Sequence, residues 1–186
     1  MILFNIIRKI RKKLMSPNDY ALSVGVKMGK DCWLSTKEIP IEGYLVEIGD
    51  YVRIASHASI YTHGAIWSIR KYYNDPILEQ FGKVKIGSYT SIGAYAMIMP
   101  GVTIGERCIV AGGAVVTKSV PDGCMVAGNP AKFIGYTEDF YKKIKEKHNF
   151  GCKKMSQKEK KQFLLAQSEE KFIKKSYIQT PQIPIT

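Results

Sequence analysis

Through the middle of the chain an aliphatic residue recurs at every sixth position: Ile86, Ile92, Ile98, Ile104, Val110 and Val116. Four places after each stands a small or β-branched residue: Thr90, Ala96, Val102, Cys108, Ala114 and Val120. Glycine follows several of the aliphatics directly, at Gly87, Gly93 and Gly105. An amphipathic helix would repeat every 3.6 residues, and this pattern does not drift that way. Two earlier stretches obey the same rule. Ile48, Ile54 and Ile60 form one, with Val52 and Ala58; Leu22 and Met28 form the other, with Val26 and Cys32. The period predicts a coil of three short strands per turn, eighteen residues in all. The aliphatic residue points inward, and the small residue sits where the chain turns a corner. A glycine after the aliphatic is expected to supply backbone conformations that a β-carbon opposes. Successive coils then stack as parallel strands, with like side chains in ladders.

The interruptions are as informative as the repeat. Between Ile60 and Ile86 lie 26 residues where six would suffice, so an excess of 20 must leave the prism as a loop over 64–83. Its sequence is rich in aromatics, which argues for order. The first coil, from about Leu22, breaks near Pro40, and 41–46 lead into the coil at Ile48. Pro121, Asp122 and Gly123 turn the chain after the last clean coil. Outside the repeat, residues 2–14 predict a short amphipathic helix, with Ile2, Leu3, Ile6, Ile7, Ile10 and Leu14 on one face. Thr137 is placed to N-cap a helix through about His148. Ser156 and Glu159 form a capping-box pattern before a helix to about Lys175, and Tyr177–Thr186 is expected to be extended. The organisation is therefore a basic N-terminal segment over 1–15, a repeat domain over 16–135, and a basic helical tail over 136–186.

Length and composition narrow the field. The chain has 186 residues, 45% of them hydrophobic, which suits one packed domain and not a disordered chain. No apolar run is long enough for a membrane-spanning helix, and the N-terminus lacks a secretory signal pattern. Cys32, Cys108, Cys124 and Cys152 form no CxxC pair, which suits reduced thiols in a cytoplasm and neither disulfides nor a zinc site. The net charge is +12, but its location decides its meaning. Residues 1–15 carry +5 and 136–186 carry +6, leaving +1 on 16–135. A nucleic-acid groove on the repeat is therefore disfavoured. The basic ends read as solvated helices or as contacts to an anionic surface, such as the inner face of a membrane.

The string from Ile86 to Gly135, with PGVTIG and AGGAVVTKSVPDG…AGNPAK, resembles the hexapeptide-repeat acyltransferases. EGYLVEIGDYVRIASHASIYTHG, followed by the excursion and KIG, is similar to their sugar and polysaccharide O-acetyltransferase branch. The resemblance covers about 22–135. It implies a left-handed parallel β-helix, a homotrimer, acetyl-CoA as co-substrate and no metal. The implied activity is acetyl transfer to a sugar hydroxyl in capsular, lipopolysaccharide or other glycan synthesis. An N-acetyltransferase acting on an amino sugar or nucleotide sugar stands as the alternative, since both need a base and a thioester.

Candidate chemistry follows from that frame. Acyl transfer needs a base for the acceptor proton and donors for the developing oxyanion. Of three histidines, His63 ends a strand at the root of the loop and matches the catalytic histidine of the sugar enzymes. Imidazole suits the role because its ordinary pKa of about 6.5 lies near working pH. His57 falls at an outward position and His148 in the tail. Relatives often carry an acidic residue directly after the histidine, where this chain has Gly64, so the ring must be oriented from elsewhere. A backbone carbonyl or a carboxylate on the adjacent coil would serve. Glu42 is a candidate, and it also falls near an acceptor-binding acidic position of the galactoside enzymes; the plainer reading is a surface glutamate.

The resemblance assigns the oxyanion to the backbone N–H of Ala94. It places pantetheine near Gly112 and Gly113, and the CoA phosphates near Lys118 and Lys132. The tryptophan often found three residues before the Ala94 position is Ser91 here. Trp67, Tyr72, Tyr73 and Phe81 in the loop offer stacking surfaces for a sugar or for a neighbouring subunit. Cys32 and Cys108 fall in small inward slots, as core and not as nucleophiles. A zinc-dependent carbonic anhydrase on the same prism would need three histidines on one metal, and His148 lies beyond the repeat. A non-catalytic scaffold is opposed by His63 together with Lys118 and Lys132.

Overall fold

The structure, a computed structural model, describes residues 2–177, so the segment expected to be extended lies outside the described residues past Tyr177. Contacts divide the chain into two compact units, with the boundary between Glu138 and Asp139.

The first unit is a prism of parallel strands. Its first face stacks β1 (Lys27–Met28), β3 (Val46–Ile48), β6 (Val84–Ile86) and β9 (Thr103–Ile104). The second stacks β2 (Trp33–Leu34), β4 (Arg53–Ile54), β7 (Ser91–Ile92), β10 (Ile109–Val110) and β12 (Cys124–Ala127), closed by antiparallel β13 (Lys132–Tyr136). The third stacks β5 (Ser59–Ile60), β8 (Met97–Ile98) and β11 (Val115–Val116). Ladder residues pair with their own kind: Ile54 with Ile92, Ile60 with Ile98, Ile86 with Ile104. All of these ladder isoleucines are buried.

The six-residue rule works through two different residues per corner. At most corners the residue three places after a ladder position turns the chain with positive φ. This holds for Asp31, Tyr51, His57, Tyr89, Tyr95, Gly101, Arg107, Gly113 and Gly123. The expectation that the glycine directly after the aliphatic supplies this conformation is corrected by the structure. Gly87, Gly93 and Gly105 do not have positive φ; they are where one coil touches the next. A Cβ on Gly87 would lie 2.5 Å from the Gly105 carbonyl carbon, and one on Gly105 2.6 Å from the Asp122 nitrogen. Outside the corners, left-handed residues stack in their own ladders. The rings of Tyr51 and Tyr89 lie 5.0 Å apart, and those of His57 and Tyr95 4.8 Å apart. That accounts for His57 structurally.

Register records each departure from regularity. Ordinary coils rise by 18 residues, as from Lys85 to Thr103. Coil one rises by 20, from Lys27 to Glu47, because 40–45 form a bulge with two extra residues that carries a 3-10 turn over Gly43–Leu45. The coil with the excursion rises by 38, from Glu47 to Lys85, so the loop holds the 20 residues counted from sequence. The last coil rises by only 16, from Ile109 to Met125. Pro121, Asp122 and Gly123 are thus one more corner of the coil, and the chain leaves the prism after β12.

Two helices precede the coil. Helix α1 (Ile2–Leu14) is followed by α2 (Pro17–Ser23), N-capped by Ser16 and burying Tyr20 and Ala21. Leu22, expected to open the first coil, belongs to α2 and is exposed, because the Ser16–Pro17 start commits that segment to helix. Asn18 imitates a strand at the open edge of β2: its amide donates to the Cys32 carbonyl and its oxygen accepts from Leu34 N–H. At the other end, Thr137 begins α4 (Thr137–Lys143), and its hydroxyl donates to the Gly123 carbonyl instead of capping. A π-helical turn over Ile144–His148 replaces the expected continuation of α4.

In the second unit, α5 (Gln157–Leu165) carries the full Ser156–Glu159 capping box. It stops well short of Lys175, and a 3-10 turn over Glu169–Lys171 follows.

The Gly87 contact sets a test. Gly87→Ala is expected to lower stability by about 1–3 kcal/mol through forced overpacking. Gly101→Asn should stay within about 0.5 kcal/mol, since no atom lies within 4 Å of its would-be Cβ and asparagine tolerates a left-handed corner. Urea denaturation of both variants checks the contrast.

Candidate active site

The two irregular coils lie against each other, and their irregular parts meet at His63. Strand β5 ends at Ile60, and Thr62 fills the next inward slot completely buried. The chain then leaves the prism and returns at Gly82, whose N–H donates to the Thr62 carbonyl at 2.7 Å. His63 pairs with Phe81 across this neck as an isolated antiparallel bridge, with the rings 6.2 Å apart in an edge contact. A side chain at Gly82 would collide with the backbone of Pro100 and Gly101.

Glu42 comes from the bulge of coil one. Gly43 beside it packs against the Val24 backbone, where a Cβ would lie 2.5 Å from the Val24 oxygen. That seat holds the Glu42 carboxylate under the loop neck, with its side chain only 13% exposed. Its Oε2 accepts from Thr62 Oγ1 at 3.0 Å and lies 3.2 Å from His63 Nδ1. Glu42 is therefore not an ordinary surface glutamate. Since a carboxylate only accepts, Nδ1 is the donor and the lone pair of a neutral ring falls on Nε2. The His63 side chain stays 51% exposed, so that second nitrogen is reachable.

His63 borders two adjoining clefts. One, of about 240 Å³, is lined by Ile41, Glu42, Ile66, Arg70, Gln80 and Phe81 among others; the second, of about 390 Å³, runs along Glu38–Ile41 and Ser59–Tyr61. Arg70 reaches the first from α3 (Trp67–Tyr72) and pairs with Glu79 at 3.7 Å. Trp67 and Tyr72 sit elsewhere on that short helix, 65% and 82% exposed, and neither lines the His63 clefts within one chain. Trp67 borders a separate cleft of about 280 Å³ with Arg70, Lys71, Asn74 and Pro76.

Of the remaining candidates, all but Lys118 gather at another place; by register Lys118 stands at the coil position of Thr62. Gly113 N–H donates to the Ala94 carbonyl at 2.8 Å, so Ala94, Gly112 and Gly113 share one corner. Lys118 is exposed two residues beyond β11, and Lys132 is exposed at the start of β13. The turn before Lys132 is tied to β11, with Val115 N–H donating to Gly128 and Ala131 N–H donating to Val115. Ala94 precedes β8, whereas His63 follows β5, the neighbouring strand of the same face. Position 101 is the coil equivalent of His63, so seven residues separate the two groups along the face, or roughly 20 Å at strand rise. One chain does not bring them together. His148 lies in the second unit, where its Nδ1 is 3.3 Å from the Lys171 carbonyl. Burial pushes the Cys108 and Cys32 thiols up, and both donate to backbone carbonyls, as core groups do.

The family description "Bacterial transferase hexapeptide (six repeats)" matches residues 83–118. Protein CapG of Staphylococcus aureus is 40% identical over 171 residues, covering 88% of this chain and 98% of the relative. The chain belongs to the hexapeptide-repeat transferases. It is an acyltransferase, and the family's left-handed winding applies to its coil. A second S. aureus relative, named as an acetyltransferase, is 35% identical over 118 residues, 63% of this chain and 58% of that one. Two solved structures share the fold. A maltose O-acetyltransferase from Clostridium difficile 630 has a TM-score of 0.56 at 24% identity, covering 71% of this chain and 83% of that one. The hexapeptide-repeat acetyltransferase VCA0836 from Vibrio cholerae has a TM-score of 0.58 at 19% identity, covering 72% and 88%.

Sequence reasoning missed Thr62, Ile66, Arg70 and Gln80. Thr62 carried a signal, as a polar residue adjoining the candidate histidine. Ile66 and Arg70 are four apart, the spacing of one helical face, but the segment was expected as loop. Gln80 had none, and Phe81, expected as a stacking ring of the loop, is brought to His63 only by the closed neck.

The shared Glu42 oxygen gives a stability test. Glu42→Ala leaves the buried Thr62 hydroxyl without its acceptor and should cost about 1–3 kcal/mol. Glu42→Gln keeps a carbonyl acceptor and should cost clearly less. Thermal and urea denaturation of both variants would measure the difference.

Proposed function

We propose that the protein is an acetyl-CoA-dependent O-acetyltransferase whose acceptor is a sugar hydroxyl, acting in the cytoplasm during synthesis of a capsular, lipopolysaccharide or related glycan. The observation that carries the reading is the Glu42–His63 contact at the mouth of the loop. Glu42 fixes the ring and its tautomer, and His63 Nε2 takes the proton of the acceptor hydroxyl. The acceptor oxygen attacks the thioester carbonyl supplied by acetyl-CoA. As the carbon–sulfur bond breaks, His63 returns the proton to the departing sulfur.

The cleft suits a polyhydroxylated acceptor: Arg70, Gln80 and Glu79 offer polar contacts, and Phe81 offers a ring face. Lys132 near the far corner and Lys118 beyond the other end of β11 are exposed cations suited to the phosphates of coenzyme A, with Gly113 leaving backbone open to a pantetheine arm beside Gly112. The separation of roughly 20 Å between this corner and His63 within one chain supports a homotrimer. There, the His63 edge of one subunit meets the Ala94–Gly113 corner of its neighbour, and the Ala94 N–H faces the oxyanion.

His63→Ala should lower turnover by about 10²–10⁴, or about 3–5 kcal/mol of barrier, while acetyl-CoA affinity stays within a few-fold. Glu42→Gln should lower turnover less, with KM for acetyl-CoA unchanged. Release of free thiol from acetyl-CoA across a panel of sugars, nucleotide sugars and oligosaccharides reads both variants. Near-normal turnover of His63→Ala with the true acceptor would remove the assignment. A chain that is monomeric at micromolar concentration yet fully active would remove the shared site.

A further inference from the structure

Helix α1 is amphipathic, yet it is attached to the prism by its polar side. Lys12 Nζ reaches both Glu38 carboxylate oxygens, at 2.9 and 3.1 Å, and Lys37 Nζ donates to the Lys12 carbonyl at 2.8 Å. Ile6, Ile10 and Leu14, spaced by four, form a stripe with Ile7 beside them, and Lys12 lies roughly opposite. The whole stripe is open to solvent: Ile10 is 52% exposed and Leu14 77%. Arg11 and Lys13, both exposed, flank it on either side. The helix carries five basic residues and no acidic one. An apolar stripe turned away from the core requires another partner.

We propose that α1 docks the protein on an anionic lipid surface. The stripe enters the boundary between headgroups and acyl chains, and the flanking bases meet lipid phosphates. At 13 residues the helix is about 20 Å long, too short to cross a bilayer, so it lies along the surface. A second copy of the chain is a poorer occupant, since it would bring an equally basic helix against this one. The Lys12–Glu38 and Lys37–Lys12 contacts fix the stripe outward before any surface is met. An acyltransferase held this way works beside acceptors that are themselves at the membrane. The inference stands on α1 alone and is independent of the acetyl transfer proposed above.

Cosedimentation of the full chain with vesicles tests it. Vesicles of phosphatidylcholine with about 30% phosphatidylglycerol should bind the protein, and pure phosphatidylcholine vesicles should bind it far less. Each exposed base near such a surface contributes about fivefold, so high salt should weaken binding steeply. Ile6→Glu with Ile10→Glu should weaken binding at least tenfold while thermal unfolding, oligomeric state and free-thiol release stay unchanged. Leu14→Glu gives the same reading should the double variant fail to fold. The proposal falls if the unmodified chain ignores both vesicle types or binds them equally. It also falls if the variants bind as before, which would point to the basic tail, or if they change the oligomeric state, which would make the stripe a contact between copies.

Discussion

The close approach of one coil to the next is the constraint on which everything else rests. Strands of two or three residues have almost no independent stability, so each must be pinned by the coils above and below. Backbone meets backbone most closely directly after the ladder residues Met28, Ile48, Ile86, Ile92 and Ile104, where Gly29, Gly49, Gly87, Gly93 and Gly105 sit. With those contacts made, the ladder isoleucines of successive coils fall into register and fill the prism. Each one buried is worth about 1.5–3 kcal/mol. The left-handed corner then turns outward a side chain that has no place inside, which is why Tyr, His, Asp and Arg are accepted there.

So tight a stack has little tolerance for length changes, and function is built from the exceptions. Two extra residues in coil one raise Glu42 on a small bulge; twenty extra residues in the next coil leave at Thr62 and return at Gly82. Both exceptions lie at the same end of neighbouring coils, and their contact is the pair Glu42–His63. The regular stack supplies rigidity, so a side chain at the edge of an irregularity is still held from beneath. Thr62 does this directly, fully buried and donating to the oxygen that faces His63.

Charge is arranged by the same economy. The prism is nearly neutral, and acid faces base across three of its coils at Lys27, Glu47 and Lys85. Excess positive charge is confined to segments outside the stack. On α1 it surrounds an apolar stripe; in the second unit it covers a small cluster that includes Phe150 against Phe172.

The six-residue period determined the ladders, the corners, the number of residues expelled from the prism and the place of His63 at the root of the loop. All of these follow from a repeating local rule in which each position has one inward or outward fate. The same rule misjudged the glycines, because the spacing of inward and outward positions does not say whether a missing side chain serves a torsion angle or a neighbour. It also misplaced Leu22, where the cap at Ser16 outweighed a two-coil pattern. The partner of His63 lay beyond local rules. Gly64 showed only that the usual neighbour was missing, and Glu42 was one of several sources for its replacement. The choice was made by a 20-residue rise in one coil, a closed neck in the next and the buried Thr62 between them. Likewise, the hydrophobic pattern of α1 was plain in sequence, but a pattern does not state which face meets the core. The Lys12–Glu38 contact decided that, and only packed coils could put Glu38 within its reach.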